Sequence, residues 1–376
     1  MPRFQRLFVA LLLVLSLSSC KSESHVEPSF YYWKTRYDLT QKDSSALADL
    51  KVKRLYVRFF DIDVEWDENP QPIGRLENTK PFPAGMEIVP VIFITNKTLV
   101  PTKDWYNEVA DGMIYPIDSV LSKADSVYVQ RLAENLVRKT HRMATRHTKV
   151  PLREIQLDCD WSANSRLRYF YLIKEVKRHS PDLIVSVTIR LHQYKYPENT
   201  GVPPADRGML MYYNMSRIAD TATRNYILDN DEGEKYLTGA KKYPLPLDFA
   251  LPIHSQGTVF TKYEYEQPER YRFVGLLTAE QFSLLQELGG QLIPAGGSKF
   301  IATQSHDFSG NDRLWLQPGS LIRYDEVSNE ALTRAAKHIA PLANDDNYRV
   351  VFFHLDSLNL NKHSSETLAG IVSLFN

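Results

Sequence analysis

Two acids, Asp158 and Asp160, stand two residues apart in the run Glu154-Ile155-Gln156-Leu157-Asp158-Cys159-Asp160-Trp161-Ser162. If this run is a strand, side chains alternate faces. Gln156, Asp158 and Asp160 then share one side, and Leu157, Cys159 and Trp161 share the other. At the strand rise the two carboxyls sit roughly 7 Å apart. Two acids on one interior face are costly unless they are hydrogen-bonded, paired with cations or functional. Two ionised carboxylates this close repel, so one is expected to hold a proton unless Arg58 or Arg190 neutralises the pair. A proton retained at neutral pH is what a general acid needs. The apolar set suits a helical layer packed outside.

The elements that must position these acids follow from periodicity. Pro151 lies just upstream, and a helical pattern runs over about 165–179. Strand, polar tip and helix form the repeating unit of an α/β barrel, in which strand tips build the site. Further strands are expected at residues 29–33, 54–63, 87–95, 183–190, 208–215, 247–252 and 348–356. Helical spacing is expected at 39–50, 126–147 and 329–343. Residues 69–85, with Pro70, Pro72, Gly74, Pro81, Pro83 and Gly85, are expected to be a connection. Pro90 is awkward inside its strand and suggests a strand start or a bulge. Broken periodicity over about 257–320 points to an insertion. The fold class is α/β: a (β/α)8 TIM-type barrel with an insertion between strands 7 and 8.

Reading the strand tips in order gives the candidate site. Trp33 ends strand one, Arg58, Asp61 and Asp63 lie along strand two, and Asn96 follows strand three. Asp158 and Asp160 are the catalytic candidates on strand four. Arg190 and His192 come next, then Tyr212, Tyr213 and Asn214, then His254, and finally His354 and Asp356. Each alone is readily a satisfied buried pair or a core residue; their recurrence at one end of a barrel is what suggests a cleft. His192, His254 and His354 with an acid could in principle ligate a metal, but the His-x-His pairing that barrel hydrolases use at strand one is missing, so no metal and no cofactor is expected. There is no Gly-x-Ser-x-Gly elbow and no phosphate-cradling glycine loop.

Composition limits the partners. The 376 residues carry 45 basic and 45 acidic side chains, so nothing marks a nucleic-acid footprint. The aromatics, 21 Tyr, 17 Phe and 5 Trp, suit sugar faces and a large core alike. Arg3 and Arg6 precede a short apolar run, residues 7–15, and Leu17-Ser18-Ser19-Cys20 follows it. This resembles the lipobox of bacterial lipoproteins, which implies a signal peptide over 1–19, a lipid on Cys20 and a polar tether over 20–28. The barrel would then fill 29–376. The expected address is a bacterial membrane-anchored lipoprotein facing an extracytoplasmic space, periplasm or cell surface, touching the membrane through its anchor only.

The strand tips carry a further resemblance. Asp158-x-Asp160-Trp161 resembles the core of the Asp-x-x-Asp-x-Asp-x-Glu signature of family 18 glycosidases, the chitinase-like barrels. Met211-Tyr212-Tyr213-Asn214 is similar to their strand-six tip, and Ala250-Leu251-Pro252 before an insertion is similar to their seventh strand. Residues 156–189 more closely resemble an uncharacterised family of bacterial barrel lipoproteins related to those glycosidases. The resemblance implies a carbohydrate ligand, with Asp160 orienting substrate or stabilising positive charge and Asp158 as its electrostatic partner. Two positions depart from the signature: Ile155 replaces its first Asp, and Ser162 replaces its final Glu, the family's acid. A serine hydroxyl cannot protonate a leaving oxygen at neutral pH. An acid would have to be Asp160 itself or a carboxylate from another tip, Asp61, Asp63 or Asp356.

Two classes of function follow: a glycoside-hydrolase-like enzyme, and a non-catalytic glycan-binding lipoprotein that lost the acid at Ser162. A purely structural lipoprotein is the third. The anchor gives the first test. Cys20→Ser is expected to leave the membrane fraction on cell fractionation; detergent-dependent association that persists in this variant would place the anchor elsewhere.

Overall fold

The computed structural model describes residues 25–64, 70–78, 80–100, 121–263, 270–308 and 314–376. The proposed signal segment and Cys20 lie outside the described residues. Eight parallel strands form the barrel: β1 His25–Tyr32, β2 Arg54–Val64, β3 Glu87–Ile94, β4 Glu154–Asp158, β5 Ile184–Arg190, β6 Arg207–Met211, β7 Leu247–Pro252 and β8 Asn347–Phe353. Each pairs with the next, β8 pairs with β1, and β1 pairs with β2, so the barrel is closed. This is the expected TIM-type architecture with its insertion between strands seven and eight.

The first strand starts earlier than the sequence suggests. His25 to Pro28, expected to be tether, pair with Asn347 to Val350. Pro28 is tolerated there near the start of the strand. Residues 69–85 also differ from expectation, because Pro70–Ile73 adds an antiparallel strand to β2. As a sheet-edge strand it can carry two prolines without breaking a central ladder.

Alternation divides the barrel residues into two sets. Phe30, Tyr32, Leu55, Val57, Leu157, Cys159, Val185, Val187, Ile189, Leu210, Phe249 and Phe352 face the helices in one large apolar layer. Helix α1, Lys123–His147, belongs to that layer. It buries Val129, Leu132, Ala133, Leu136, Val137, Thr140, Met143 and Ala144, the stripe expected of a 3.6-residue repeat. Ser122 caps its start by accepting from the Asp125 amide, and Arg146 and His147 sit in its last turn. Helix α2, Arg166–His179, covers β4, where Trp161 stacks on Tyr169 at 5.3 Å.

The other set fills the lumen. Tyr31, Tyr56, Val89, Val91, Met209, Met211, Tyr213, Ala250 and Val351 form its apolar middle. Below them, toward the strand starts, lies a buried ion network. Arg349 Nη1 stands 3.1 Å from Glu154 Oε2 and 2.9 Å from Asp248 Oδ2, and Arg207 grips Asp248 with two bonds at 2.9 and 3.0 Å. The awkward Pro90 is accommodated by its neighbour: β2 shifts register between Arg58 and Phe60, next to the Val57–Pro90 pairing.

The insertion builds its own antiparallel sheet in the order 271–278, 256–262, 321–325, 299–302, 292–294. Helix Ala279–Glu287 packs on it through Phe282 and Leu285, against Val259, Leu277 and Ile322. The sheet takes in Gln256 and residues 321–325, slightly beyond the expected bounds.

The lumen network yields a stability test. Truncating one partner of a buried charge cluster strands the others, at a cost of about 3–5 kcal/mol. Arg349→Met is expected to lower urea stability by that order, because Glu154 then has no cation at ion-pair distance. A loss below about 1 kcal/mol would mean the network is dispensable.

Candidate functional site

The acids open the site at the end of β4. Gln156, Asp158 and Asp160 face the lumen, as alternation demands. Gln156 accepts from the Tyr31 hydroxyl at 2.6 Å, and Asp158 Oδ1 accepts from the Thr188 hydroxyl at 2.7 Å. Asp158 is only 8% exposed, whereas the Asp160 side chain is 58% exposed and meets Arg190 Nε at 3.3 Å. Burial first, and the neighbouring Asp160 charge second, push the Asp158 carboxyl up to about 7; the Thr188 bond and Arg190 oppose them. Of the two candidate counter-charges, Arg190 therefore serves the pair.

Arg58 does not. Its Nε donates to Asp61 Oδ1 at 2.7 Å, its Nη2 bonds the other oxygen, and its guanidinium lies 5.4 Å from the Trp33 ring. In a regular strand Arg58 and Asp61, three apart, would point to opposite faces. The bulge at Phe59 restores both to the lumen, since Arg58 pairs with Val91 and Asp61 with Phe93. Gly74 makes room for Asp61: it adopts φ +53°, and a Cβ there would stand 2.9 Å from Asp61 Oδ2. Asp63 is likewise occupied, by the Thr95 hydroxyl at 2.6 Å and Lys97 at 3.0 Å. Asn96 Nδ2 donates to Ser162 Oγ at 3.2 Å, so the residue in the signature's acid position is a hydrogen-bonded hydroxyl.

An aromatic wall stands opposite the acids. Phe353 packs against Tyr213 at 5.3 Å, Trp33 at 5.4 Å and Tyr31 at 5.6 Å. Tyr213 is thus a mouth residue, but Tyr212 is not. Its ring belongs to the outer layer, and its hydroxyl meets Nδ1 of His338, on helix α3 (Asn329–Ile339), at 2.8 Å. Asn214, at φ +54°, lines a neighbouring polar cleft with Arg217, Asp220 and Arg224. His192 lies on the exposed face of the short helix Leu191–Lys195, its pKa lowered by partial burial and by Arg190.

The last three candidates form a second lobe toward the insertion. His254 sits edge-on to Phe353 at 5.3 Å and 6.2 Å from the His354 ring. Burial drives His254 down to about 3 and His354 to about 4, so both are neutral hydrogen-bonding groups at pH 7. Asp356 caps the helix Ser357–Lys362 and pairs with Lys34. These residues line a cleft of about 480 Å³ with Gln256, Thr278 and Glu280 of the insertion. Among the described residues no group of three or more His, Cys, Asp or Glu is placed to hold a metal ion.

Sequence reasoning missed three contributors. Phe353 follows from strand parity, as does the inward Thr188 on strand five. Lys34, one residue past Trp33, is visible only through its pairing with Asp356. Tyr226 comes from a loop without periodicity; its hydroxyl feels both Arg190 and Asp160.

No protein-family model and no curated protein matches the chain. Solved structures do. The C-terminal domain of a protein assigned as a chitinase from Desulfitobacterium hafniense DCB-2 superposes with a TM-score of 0.55 at 9% identity, covering 94% of this chain and 100% of that one. A chitinase from Chromobacterium violaceum ATCC 12472 gives 0.48 at 14% identity, covering 94% and 100%. A family 18 N-acetylglucosaminidase from Paenibacillus barengoltzii gives 0.48 at 11%, covering 92% and 100%. At 9% identity the likeness to the Desulfitobacterium hafniense domain is one of fold alone, the closed eight-stranded parallel barrel.

Asp158 gives the site a pH signature. Its raised pKa means that the folded state holds this proton more tightly than the unfolded chain does. Stability is therefore lost as pH rises from the ordinary carboxylate range to about 7, and the loss is constant above that. Asp158→Asn removes this ionisation. Its stability relative to wild type is expected to improve by roughly 2–4 kcal/mol between pH 4 and pH 8 in urea titrations. A difference that does not vary with pH would show that Asp158 titrates normally.

Proposed function

We propose that this chain is an extracytoplasmic lipoprotein whose barrel mouth acts on a carbohydrate through Asp158 and Asp160. The observation that carries the reading is a buried carboxyl holding its proton to about pH 7 beside an exposed carboxylate paired with Arg190. Carboxyl pairs whose environments push their proton affinities apart divide acid and base roles between them. The Asp160 carboxylate, nearer the opening, faces C1 and stabilises the positive charge that builds there. Asp158 gives the proton that the leaving oxygen takes as its bond to C1 breaks. Water then adds to C1, and its proton returns to the pair. Trp33 and Phe353, partly exposed, offer apolar faces for a sugar ring, with Tyr213 stacked behind Phe353. Arg58, Asp61, Asn96, His192, His254, His354 and Asp356 border the same opening with polar groups. The anchor on Cys20 would hold this mouth outside the cytoplasm.

A second reading, glycan binding without turnover, is favoured by one observation: the signature's acid position is Ser162, with its hydroxyl bonded to Asn96. Asp160→Asn separates the two. For an enzyme, the variant is expected to lose turnover at least 100-fold on a glycan panel while its thermal midpoint stays within a few degrees. If wild type turns over no glycan on a broad panel yet binds one, the binding reading holds. Unfolding of the variant would make the pair structural.

A further inference from the structure

The insertion reaches the mouth through a buried ion pair. Arg323 and Asp325 lie on the strand Leu321–Asp325, and both side chains are 0% exposed. Arg323 Nε donates to Asp325 Oδ1 at 3.0 Å, and Thr258, on the neighbouring strand, contributes its hydroxyl to Asp325 Oδ2 at 3.3 Å. Nη2 also donates to the Thr258 hydroxyl at 3.2 Å, and the remaining guanidinium bonds leave the insertion. Nη1 donates to the Asp220 carbonyl at 2.7 Å, and Nη2 to the Ile218 carbonyl at 3.3 Å. Asp325 Oδ1 accepts from the Tyr226 amide at 3.1 Å, and Asn225 Nδ2 donates to the Glu326 carbonyl at 2.8 Å. At the loop's far end the Asn214 amide donates to the Ile227 carbonyl at 2.8 Å.

All these bonds hold one segment, the loop of residues 215–229 that follows the β6 tip. A buried ion pair is weak as a stabiliser, because desolvation offsets much of the attraction. What the rigid fork of Arg323 adds is placement: two carbonyls and, through Asp325, one amide of the loop are fixed at once. The segment so held leaves the tip of β6, whose Met211 pairs with Arg190 of β5, and it carries the half-buried Tyr226, which lies within electrostatic reach of Arg190 and Asp160.

We propose that Arg323 and Asp325 are positioning residues of the mouth, fixing the 215–229 loop so that Tyr226 walls the Arg190–Asp160 pair as a ligand contact. The insertion thereby becomes part of the site. The ligand contact rests on the carbohydrate reading; the positioning does not.

Arg323→Lys keeps the charge and removes the fork. Amides 218–226 are expected to exchange with deuterium at least about 10-fold faster, while β5 and β6 amides keep their rates. The titration midpoint of Asp158, followed by carboxyl carbon NMR, is expected to fall by about 0.5 or more as water enters beside Arg190 and Asp160. Asp61, Asp160, Arg190, Tyr31, Tyr213, Cys159 and Tyr169 are the charged and titratable groups around Asp158 among the described residues, and none is altered by the substitution. Tyr226→Phe is expected to leave loop exchange unchanged and to weaken binding of a chito-oligosaccharide probe about 5- to 10-fold. Unchanged loop exchange in Arg323→Lys overturns the positioning role. Faster exchange with an unmoved Asp158 midpoint overturns its reach into the site. A wild type that binds no glycan, with the exchange and titration effects intact, overturns only the carbohydrate reading. Should Arg323→Lys fail to fold, Thr258→Val removes two bonds to the pair, one to each member, and is read the same way.

Discussion

Every second residue of eight parallel strands points into a space that water barely reaches, and a polar side chain sent there must be answered. The lumen of this barrel answers level by level. At the strand starts, Glu154 and Asp248 meet Arg349 and Arg207. One level up, Gln156 meets the Tyr31 hydroxyl. At the top, Asp158 receives only a neutral hydroxyl, from Thr188, while Arg190 goes to Asp160. Glu154, Asp158 and Asp160, the three inward acids of this run, therefore experience different surroundings although all face the same lumen. The deepest is answered by a cation, the middle acid keeps its proton, and the outermost is exposed and paired with Arg190.

The same constraint explains why the rim is crowded with matched pairs. Asp61 has Arg58, Asp63 has Thr95 and Lys97, and Asp356 has Lys34 and a helix amide. Asp63 and Asp356 are poor proton donors, because opposite charges and donated bonds favour their ionised form. Asp158 differs in having burial and a like charge act together. The insertion continues this economy of partners by another route, spending a fully buried Arg–Asp pair on a loop and not on the barrel.

How far this was legible in the sequence depends on whether polarity marked the parity. In β4 it did: acids alternate with Leu157, Cys159 and Trp161, so the inward face was unambiguous. In β6 it did not. Met209, Met211 and Tyr213 on one face and Leu210 and Tyr212 on the other are equally apolar, and only packing sends Tyr212 to His338. In β2 the alternation was visible but misleading, because one bulged residue reverses parity between Arg58 and Asp61. The strand order, the insertion and the tips came from periodicity and turn residues. The loop carrying Tyr226 has no period, and its place is set by side chains about a hundred residues later in the chain.

Thr188 first and Arg190 second, both on β5, set what kind of proton the mouth holds. Asp160 raises the proton affinity of Asp158, and a bare Asp160 charge in a poorly solvated mouth would raise it further. An acid held far above 7 stays protonated and cannot give its proton up; one near 4 has already lost it. By pairing with Asp160 and acting on Asp158 across the same space, Arg190 opposes both burial and like-charge repulsion. The result is an affinity near 7, where transfer in either direction costs least. The barrel that lacks a glutamate at position 162 thus still keeps one exchangeable proton at its mouth, and the residues that tune it are a hydroxyl and a cation on the neighbouring strand.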